Sequence, residues 1–72
     1  MSTIKKRSVS LHGHRTSFSI EDEFFQILEA MAKTQAIPLA RLIANIDEAR
    51  GSNSNLSSAL RLAALASVRR TD

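Results

Sequence analysis

The sequence predicts a mainly α-helical fold with one short strand, and that strand is expected to pair with the same strand of a second chain. One segment alternates polar and apolar residues with the period of a β-strand, and three later segments repeat apolar residues with the period of an α-helix. A chain of 72 residues forms one small domain, whose single core barely offsets the entropy lost on folding. Oligomerisation is therefore an expected source of stability.

The alternating segment has the sequence Arg-Thr-Ser-Phe-Ser-Ile over residues 15–20, within a strand predicted over about 14–20. Alternation separates an inward face from an outward face made of Arg15, Ser17 and Ser19. The inward face consists of Thr16, Phe18 and Ile20. Because no other segment reads as a convincing strand, the backbone groups of this one need a partner outside the molecule. A second copy of the chain is the obvious partner.

The residues before this strand are expected to be irregular. Residues 1–8 are interpreted as a flexible basic arm, and residues 9–70 as the folded domain. Val9 and Leu11 also alternate with polar residues, but they are odd-numbered, whereas the later inward set is even-numbered. The change of parity near Gly13 marks a bulge, a bend or the true start of the strand. We favour a bend, with the paired strand starting near His14.

The first helix is predicted over about 21–34, with Ser19 or Ile20 at its cap. Three carboxylates in its first turn, from Glu21, Asp22 and Glu23, complement the positive end of the helix dipole. Its helically spaced apolar residues are interpreted as a packing stripe rather than a ligand site. These residues are Phe24, Ile27, Leu28 and Met31, with Phe25 broadening the stripe.

Two further helices are predicted over about 38–50 and 56–69. Pro38 suits the first position of the second helix, whose apolar stripe is Leu39, Leu42, Ile43 and Ile46. Gly51 is expected to end it, and a polar loop over 51–55 follows, with Asn55 as the cap of the third helix. The third helix has apolar residues around more than one face, so it needs cover from more than one neighbour.

The positive charge is concentrated near the start of the sequence. Residues 1–20 contain four basic residues and no acidic residue, which gives +4, whereas residues 21–72 contain six basic and seven acidic residues, which gives −1. A localised basic segment typically meets a polyanion, and nucleic acid is favoured over a membrane because no basic amphipathic helix accompanies it. A solubilising tail is the alternative for residues 1–8 taken alone.

Other functional classes have little support in the sequence. There is no cysteine, no apolar run long enough to span a bilayer and no signal-peptide pattern, so a soluble cytoplasmic protein is expected. No nucleophile-elbow, phosphate-loop or metalloprotease motif occurs, and we expect neither an enzyme nor a cofactor. His12 and His14 could share one side of an extended chain, but two ligands without an evident acidic partner are too few for a metal site.

The combined pattern resembles the ribbon-helix-helix family of transcriptional regulators, which includes the Arc and MetJ repressors. The resemblance is carried by residues 7–25, by Leu42-Ile43 with Ile46-Asp47, and by the segment Asn-Leu-Ser-Ser-Ala-Leu-Arg over 55–61. It covers roughly residues 7–69 and is closer still to a small bacterial subfamily with a third helix. It implies an intertwined homodimer in which two strands form an antiparallel ribbon that enters the major groove of double-stranded DNA.

The resemblance also implies roles for individual residues. The outward side chains of the strand, Arg15, Ser17 and Ser19, match the base-contacting positions of the family. The amides of Leu39 and Ala40, with Arg41 nearby, match its phosphate anchor, although Pro38 replaces the usual serine or threonine cap. Charge and position add further expected phosphate contacts, from Lys5, Lys6, Arg7 and His14. The expected dimer core consists of Phe18, Ile20, Phe24, Leu28, Leu42, Ile43 and Ile46.

Two functional hypotheses follow from this interpretation of the sequence. The first is a sequence-specific DNA-binding regulator, a repressor, that acts as a homodimer or as a higher oligomer on DNA. The alternative is a protein-interaction module, such as an antitoxin or adaptor, that binds a protein partner through its third helix. Arg61, Arg69 and Arg70, on or just beyond that helix, are interpreted as a solvated face that complements the helix dipole, with a docking surface as the alternative.

Overall fold

A computed structural model describes residues 3–50 and 55–70 of the chain. In chain order the elements are β1 (Ile4–Leu11), β2 (His14–Glu21), α1 (Asp22–Gln35), α2 (Leu39–Ala49) and α3 (Leu56–Arg70). β1 and β2 form a two-stranded antiparallel sheet, and the three helices pack against it and against each other. Residues 1–2 of the predicted arm, and Gly51 with most of the predicted polar loop, lie outside the described residues.

The expectation of a single strand is wrong. β1 pairs with β2 within one chain, from Ile4 opposite Glu21 to Leu11 opposite His14. A two-residue turn, His12-Gly13, joins the strands, and both residues have positive φ, 52° and 81°. This is the backbone that a tight hairpin turn requires, because it matches the twist of the strands. Residues 4–8, expected to belong to the flexible arm, are therefore part of a strand.

The hairpin explains the change of parity seen in the sequence. Each odd-numbered residue of β1 lies opposite an even-numbered residue of β2, and opposite residues point to the same face of the sheet. Leu11 thus lies on the same face as Phe18 and Ile20, and all three are buried. The parity change near Gly13 marks a hairpin turn rather than the bend that we favoured.

The helices begin and end close to their predicted positions. Glu21 is the N-cap of α1, one or two residues later than the expected Ile20 or Ser19, and Pro38 is the N-cap of α2 rather than its first helical residue. Ala36 ends α1 in the left-handed conformation, with φ 58°. Asn55 caps α3 as predicted, because its Oδ1 accepts a hydrogen bond from the amide of Ser58 at 2.7 Å.

One continuous core lies between the inner face of the hairpin and the three helices. Its buried members are Leu11, Phe18, Ile20, Leu28, Ala32, Leu42, Ile43, Leu56, Leu60 and Ala64. Phe24 and Ile46 are partly buried and pack against this cluster. All seven residues expected in a dimer core thus meet within a single chain. In the described ranges, no helix is both long and apolar enough to cross a membrane.

Phe18 tests the assignment of the hairpin faces. Its side chain is 5% exposed, so Phe18→Ala should lower the free energy of unfolding by about 3–5 kcal/mol, the usual cost of removing a buried phenyl group. Ser17→Ala, one residue away on the opposite face, should change it by less than about 0.5 kcal/mol. Urea unfolding of the two variants measures the difference. Equal losses would contradict the separation of the faces.

Candidate nucleic-acid interface

Apart from the exposed Ile4 at its end, the face of the hairpin that points away from the core is polar, and it carries no free acidic group. Its central part consists of three cross-strand pairs, which we call the outer face: Lys6 with Ser19, Ser8 with Ser17, and Ser10 with Arg15. All of these residues are exposed except Ser19, which is half-buried. The structure therefore places Arg15, Ser17 and Ser19 together on the face opposite Phe18, as the alternation predicted.

Arg15 is the main cation near the turn end of the outer face. Its guanidinium lies 3.5 Å from the hydroxyl oxygen of Ser8, at the limit of a weak exposed hydrogen bond. An arginine held so loosely keeps its donors available for a ligand, and a guanidinium can donate two hydrogen bonds to the edge of a guanine. The neighbouring serine hydroxyls can donate or accept, so they are adaptable contacts.

The three basic residues of β1 have different surroundings because a strand directs alternate side chains to opposite faces. Lys6 is on the outer face. The guanidinium of Arg7 lies on the inner side, 3.6 Å from the centre of the Phe25 ring and 3.3 Å from Asp22. Lys5 Nζ, which is exposed, lies 3.5 Å from the same half-buried carboxylate. Arg7 is thus a packing residue in this structure, and Lys6 has the position best suited to contact a phosphate.

The amino end of α2 lies beside β1. Its first two residues, Leu39 and Ala40, join Arg7, Ser8 and Val9 in lining a shallow cleft between helix and strand. The carbonyl oxygen of Pro38 accepts hydrogen bonds from the amides of Arg41 and Leu42, at 3.0 and 3.1 Å. The amides of Leu39 and Ala40, which come before these two donors in the first turn, have no acceptor within the helix.

These amides have the arrangement that can bind an anion, with the positive end of the helix dipole behind them and the exposed Arg41 next in sequence. The three residues expected to anchor a phosphate are therefore close to the hairpin.

The histidines lie at the turn of the hairpin. His14 is exposed at the start of β2. His12 Nε2 lies 3.1 Å from an Oε2 of Glu48 in α2, so the turn contacts a helix that is distant in sequence. This acidic partner was not evident from the sequence. Within the described ranges, no group of three or more histidine, cysteine or acidic residues could hold a metal ion.

Two contacts join α3 to the far end of β2, and neither was predicted from the sequence. The amide of Ser19 donates to the hydroxyl oxygen of Ser57 at 3.1 Å. Arg61 Nε donates to Glu21 Oε1 at 2.8 Å, and this hydrogen bond lowers the pKa of Glu21 below its ordinary value of 4.5. Arg61 is therefore a structural partner of β2 rather than part of a solvated face.

The backbone of β2 also presents an edge that does not pair with β1. In a hairpin closed by a two-residue turn, the pair next to the turn exchanges both backbone hydrogen bonds, and every second pair does the same. Leu11 opposite His14 is that closing pair, so the even-numbered residues of β2 bond to β1. The amides and carbonyls of Arg15, Ser17 and Ser19 point to the other side, which we call the outer edge of β2.

Comparison with known proteins identifies the fold. A family model described as a ribbon-helix-helix domain matches residues 4–68. The chain belongs to the ribbon-helix-helix family. The match starts at the first residue of β1 and ends within α3, so both elements fall inside the family domain. No curated protein and no solved structure matches the chain.

The ion pair between Arg61 and Glu21 predicts a pH-dependent contribution to stability. Because the pKa of Glu21 is lowered in the folded state, the contribution is complete above the ordinary pKa and is lost as the pH falls through the lowered value. Arg61→Gln should therefore lower the urea midpoint at pH 7, and its effect should shrink in acid. Arg69→Gln, the same change at an exposed position of α3, is the control. A loss of equal size at pH 7 and in acid would contradict the prediction.

Proposed function

We propose that this protein is a homodimeric, sequence-specific DNA-binding transcriptional repressor. The observation that carries the proposal is the outer face of the hairpin, where Lys6, Arg15 and four serines are displayed opposite a packed core. The family to which the chain belongs commonly contains DNA-binding regulators, which agrees with this chemistry. The function is one of binding, and we assign no residue a catalytic role.

The outer edge of β2 supports the homodimer. The edge of a strand with free amides and carbonyls is a template for another strand, and a second copy of the same edge is complementary to it. Antiparallel pairing of two β2 strands about a two-fold axis gives a sheet in the order β1, β2, β2, β1. The ribbon predicted between chains is then the central pair of this sheet, and each β1 flanks it.

The spacing of the strands suits the major groove of DNA. Neighbouring strands are about 4.8 Å apart, so the two β2 strands lie about 2.4 Å from the axis and the two β1 strands about 7 Å from it. The major groove is about 12 Å wide. Arg15, Ser17 and Ser19 of each chain thus face the bases, while Lys6 on β1 lies near the phosphates that border the groove.

Phosphates beyond the groove wall are assigned to the amino end of α2. The amides of Leu39 and Ala40, with the side chain of Arg41, supply donors and positive charge there. In this proposal Lys5 and His14 make weaker contacts at the margin, because both are exposed. Arg7 acts through the packing of β1 rather than through direct contact.

DNA binding is tested with two single substitutions on the outer face and one control. Arg15→Ala should relax discrimination at one base position, at a cost of about 1–3 kcal/mol for the preferred duplex. Lys6→Ala should weaken binding to all sequences alike. It should also reduce the slope of log affinity against log salt by about 2 in a dimer, at about 0.9 for each phosphate contact. Binding is measured by fluorescence anisotropy on duplexes selected from a random pool.

Arg69→Ala is the matched control, since it removes the same charge from an exposed residue at the end of α3. Deletion of residues 1–7 is a poorer test, because it would remove half of β1. Equal effects of Arg15→Ala and Arg69→Ala would contradict the assignment of the outer face.

The dimer is tested by unfolding at different protein concentrations. When folding and association are one process, the midpoint of urea unfolding rises with protein concentration. We expect this rise for the unmodified chain between micromolar and millimolar concentrations. A midpoint that does not change, together with a monomeric mass in sedimentation equilibrium, would contradict the homodimer.

The alternative function is supported by one observation on α3. Leu62, Leu65 and Val68 are 64%, 45% and 43% exposed, so this helix carries apolar side chains that a protein partner could cover. An antitoxin or adaptor would use such a surface. Failure of the full chain to bind any duplex at low salt would favour this alternative over the repressor.

A further inference from the structure

The outer edge of β2 is divided into two halves by α3. At the half nearest α1, the hydroxyl of Ser57 accepts the Ser19 amide at 3.1 Å, and Arg61 holds Glu21 at 2.8 Å. At the half nearest the turn, the amides of Arg15 and Ser17 have no acceptor in the described part of the chain. A new strand therefore finds free backbone groups only in the second half.

We propose that Ser57 sets the register in which a second copy of the chain pairs with β2. The inference rests on the homodimer proposed above. Only odd-numbered residues of β2 direct their backbone groups to the outer edge, so each hydrogen-bonded pair must join an odd-numbered residue of one copy to an odd-numbered residue of the other. In this half of the edge, the pairing is possible when the two-fold axis passes beside Arg15, Thr16 or Ser17. Each position gives a different register, and the three differ in their cost.

A register centred on Ser17 places Arg15 of the second copy opposite Ser19. That pairing needs the Ser19 amide, which Ser57 already occupies, so α3 would have to give up this contact. A register centred on Arg15 places two guanidinium groups directly opposite each other, and like charges in that position are destabilising. Both registers are therefore disfavoured, the first by the loss of the Ser57 contact and the second by charge repulsion.

A register centred on Thr16 avoids both penalties. It places Arg15 of each copy opposite Ser17 of the other, so that the free amides and carbonyls form four backbone hydrogen bonds. The strand of the second copy then ends at His14, opposite Phe18, one residue before the position that Ser57 occupies. The length of β2 and the contact from Ser57 in α3 thus both favour the register centred on Thr16.

The register controls the distance between the two arginines that face DNA. Centred on Thr16, the two Arg15 residues are offset by two positions, or about 7 Å along the ribbon, whereas centring on Ser17 would offset them by four, or about 14 Å. At about 3.4 Å for each base step, these distances span about two and four base pairs. Ser57 is therefore a positioning residue that determines the spacing of the bases read.

Disulfide formation reports the register directly, because the chain contains no cysteine. The variants are Thr16→Cys and Ser17→Cys, which keep Arg15 and its charge, each oxidised mildly in the full chain. Cysteines directly opposite each other lie about 4.5–5.5 Å apart between Cα atoms and can bond, whereas those offset by two positions lie about 7–8 Å apart, at or beyond the limit. We expect Thr16→Cys to form the covalent dimer and Ser17→Cys to form little.

The role of Ser57 is tested by repeating the series with Ser57→Ala and Ser57→Thr. With Ser57→Ala, the Ser19 amide is free and the Ser17→Cys crosslink should appear. With Ser57→Thr, which keeps the hydroxyl, the Thr16→Cys pattern should return. Circular dichroism confirms that each variant is folded.

Each other outcome overturns a defined part of the proposal. An unchanged pattern with Ser57→Ala would overturn the role of Ser57, and dominance of the Ser17→Cys crosslink in the presence of Ser57 would overturn the register; both results would leave the dimer intact. A dimer in sedimentation with neither crosslink would overturn the register centred on Thr16. A monomer would overturn the homodimer itself, and the register with it.

Discussion

The two-residue turn at His12-Gly13 is the constraint on which the rest of the structure depends. Positive φ at both residues folds β1 back on β2 in one register, and that register decides which side chains face the helices. It also decides which backbone groups are used up within the hairpin and which are left at the outer edge. A shift of one residue would bring the serines of β2 into the core and expose Phe18. The polar face and the free edge thus have a common origin.

The position of α3 makes the two ends of β2 different. Near the turn the strand is open to solvent, whereas near α1 a hydroxyl and a guanidinium from α3 hold it in place. In a family named for a strand and two helices, the third helix here contacts the same strand that we assign to base reading. In the proposed dimer, a change in the packing of α3 would therefore reach the ribbon through these two hydrogen bonds, without any contact between α3 and DNA.

Local patterns in the sequence predicted much of this structure. Alternation alone assigned Phe18 and Ile20 to the core and Arg15 to the opposite face, because a strand places successive side chains on opposite sides. The amide oxygen of Asn55 was a reliable cap signal for the same kind of reason, since capping involves only the next three residues.

The hairpin was missed because His-Gly is not one of the common turn pairs, although the parity change at Gly13 was visible. The contacts of Ser57 and Arg61 span 38 and 40 residues, and no local pattern in a single sequence encodes such pairs.

Arg7 has a consequence for the size of the assembly. Its guanidinium is directed inward against Phe25 and Asp22, and Lys5 and Lys6 flank it on β1. Charged side chains on and beneath a strand discourage the addition of another strand to its free side. In the homodimer proposed above, pairing through the outer edge of β2 would leave the charged β1 at either end of the sheet. Such a sheet would stop at four strands instead of growing into a fibre.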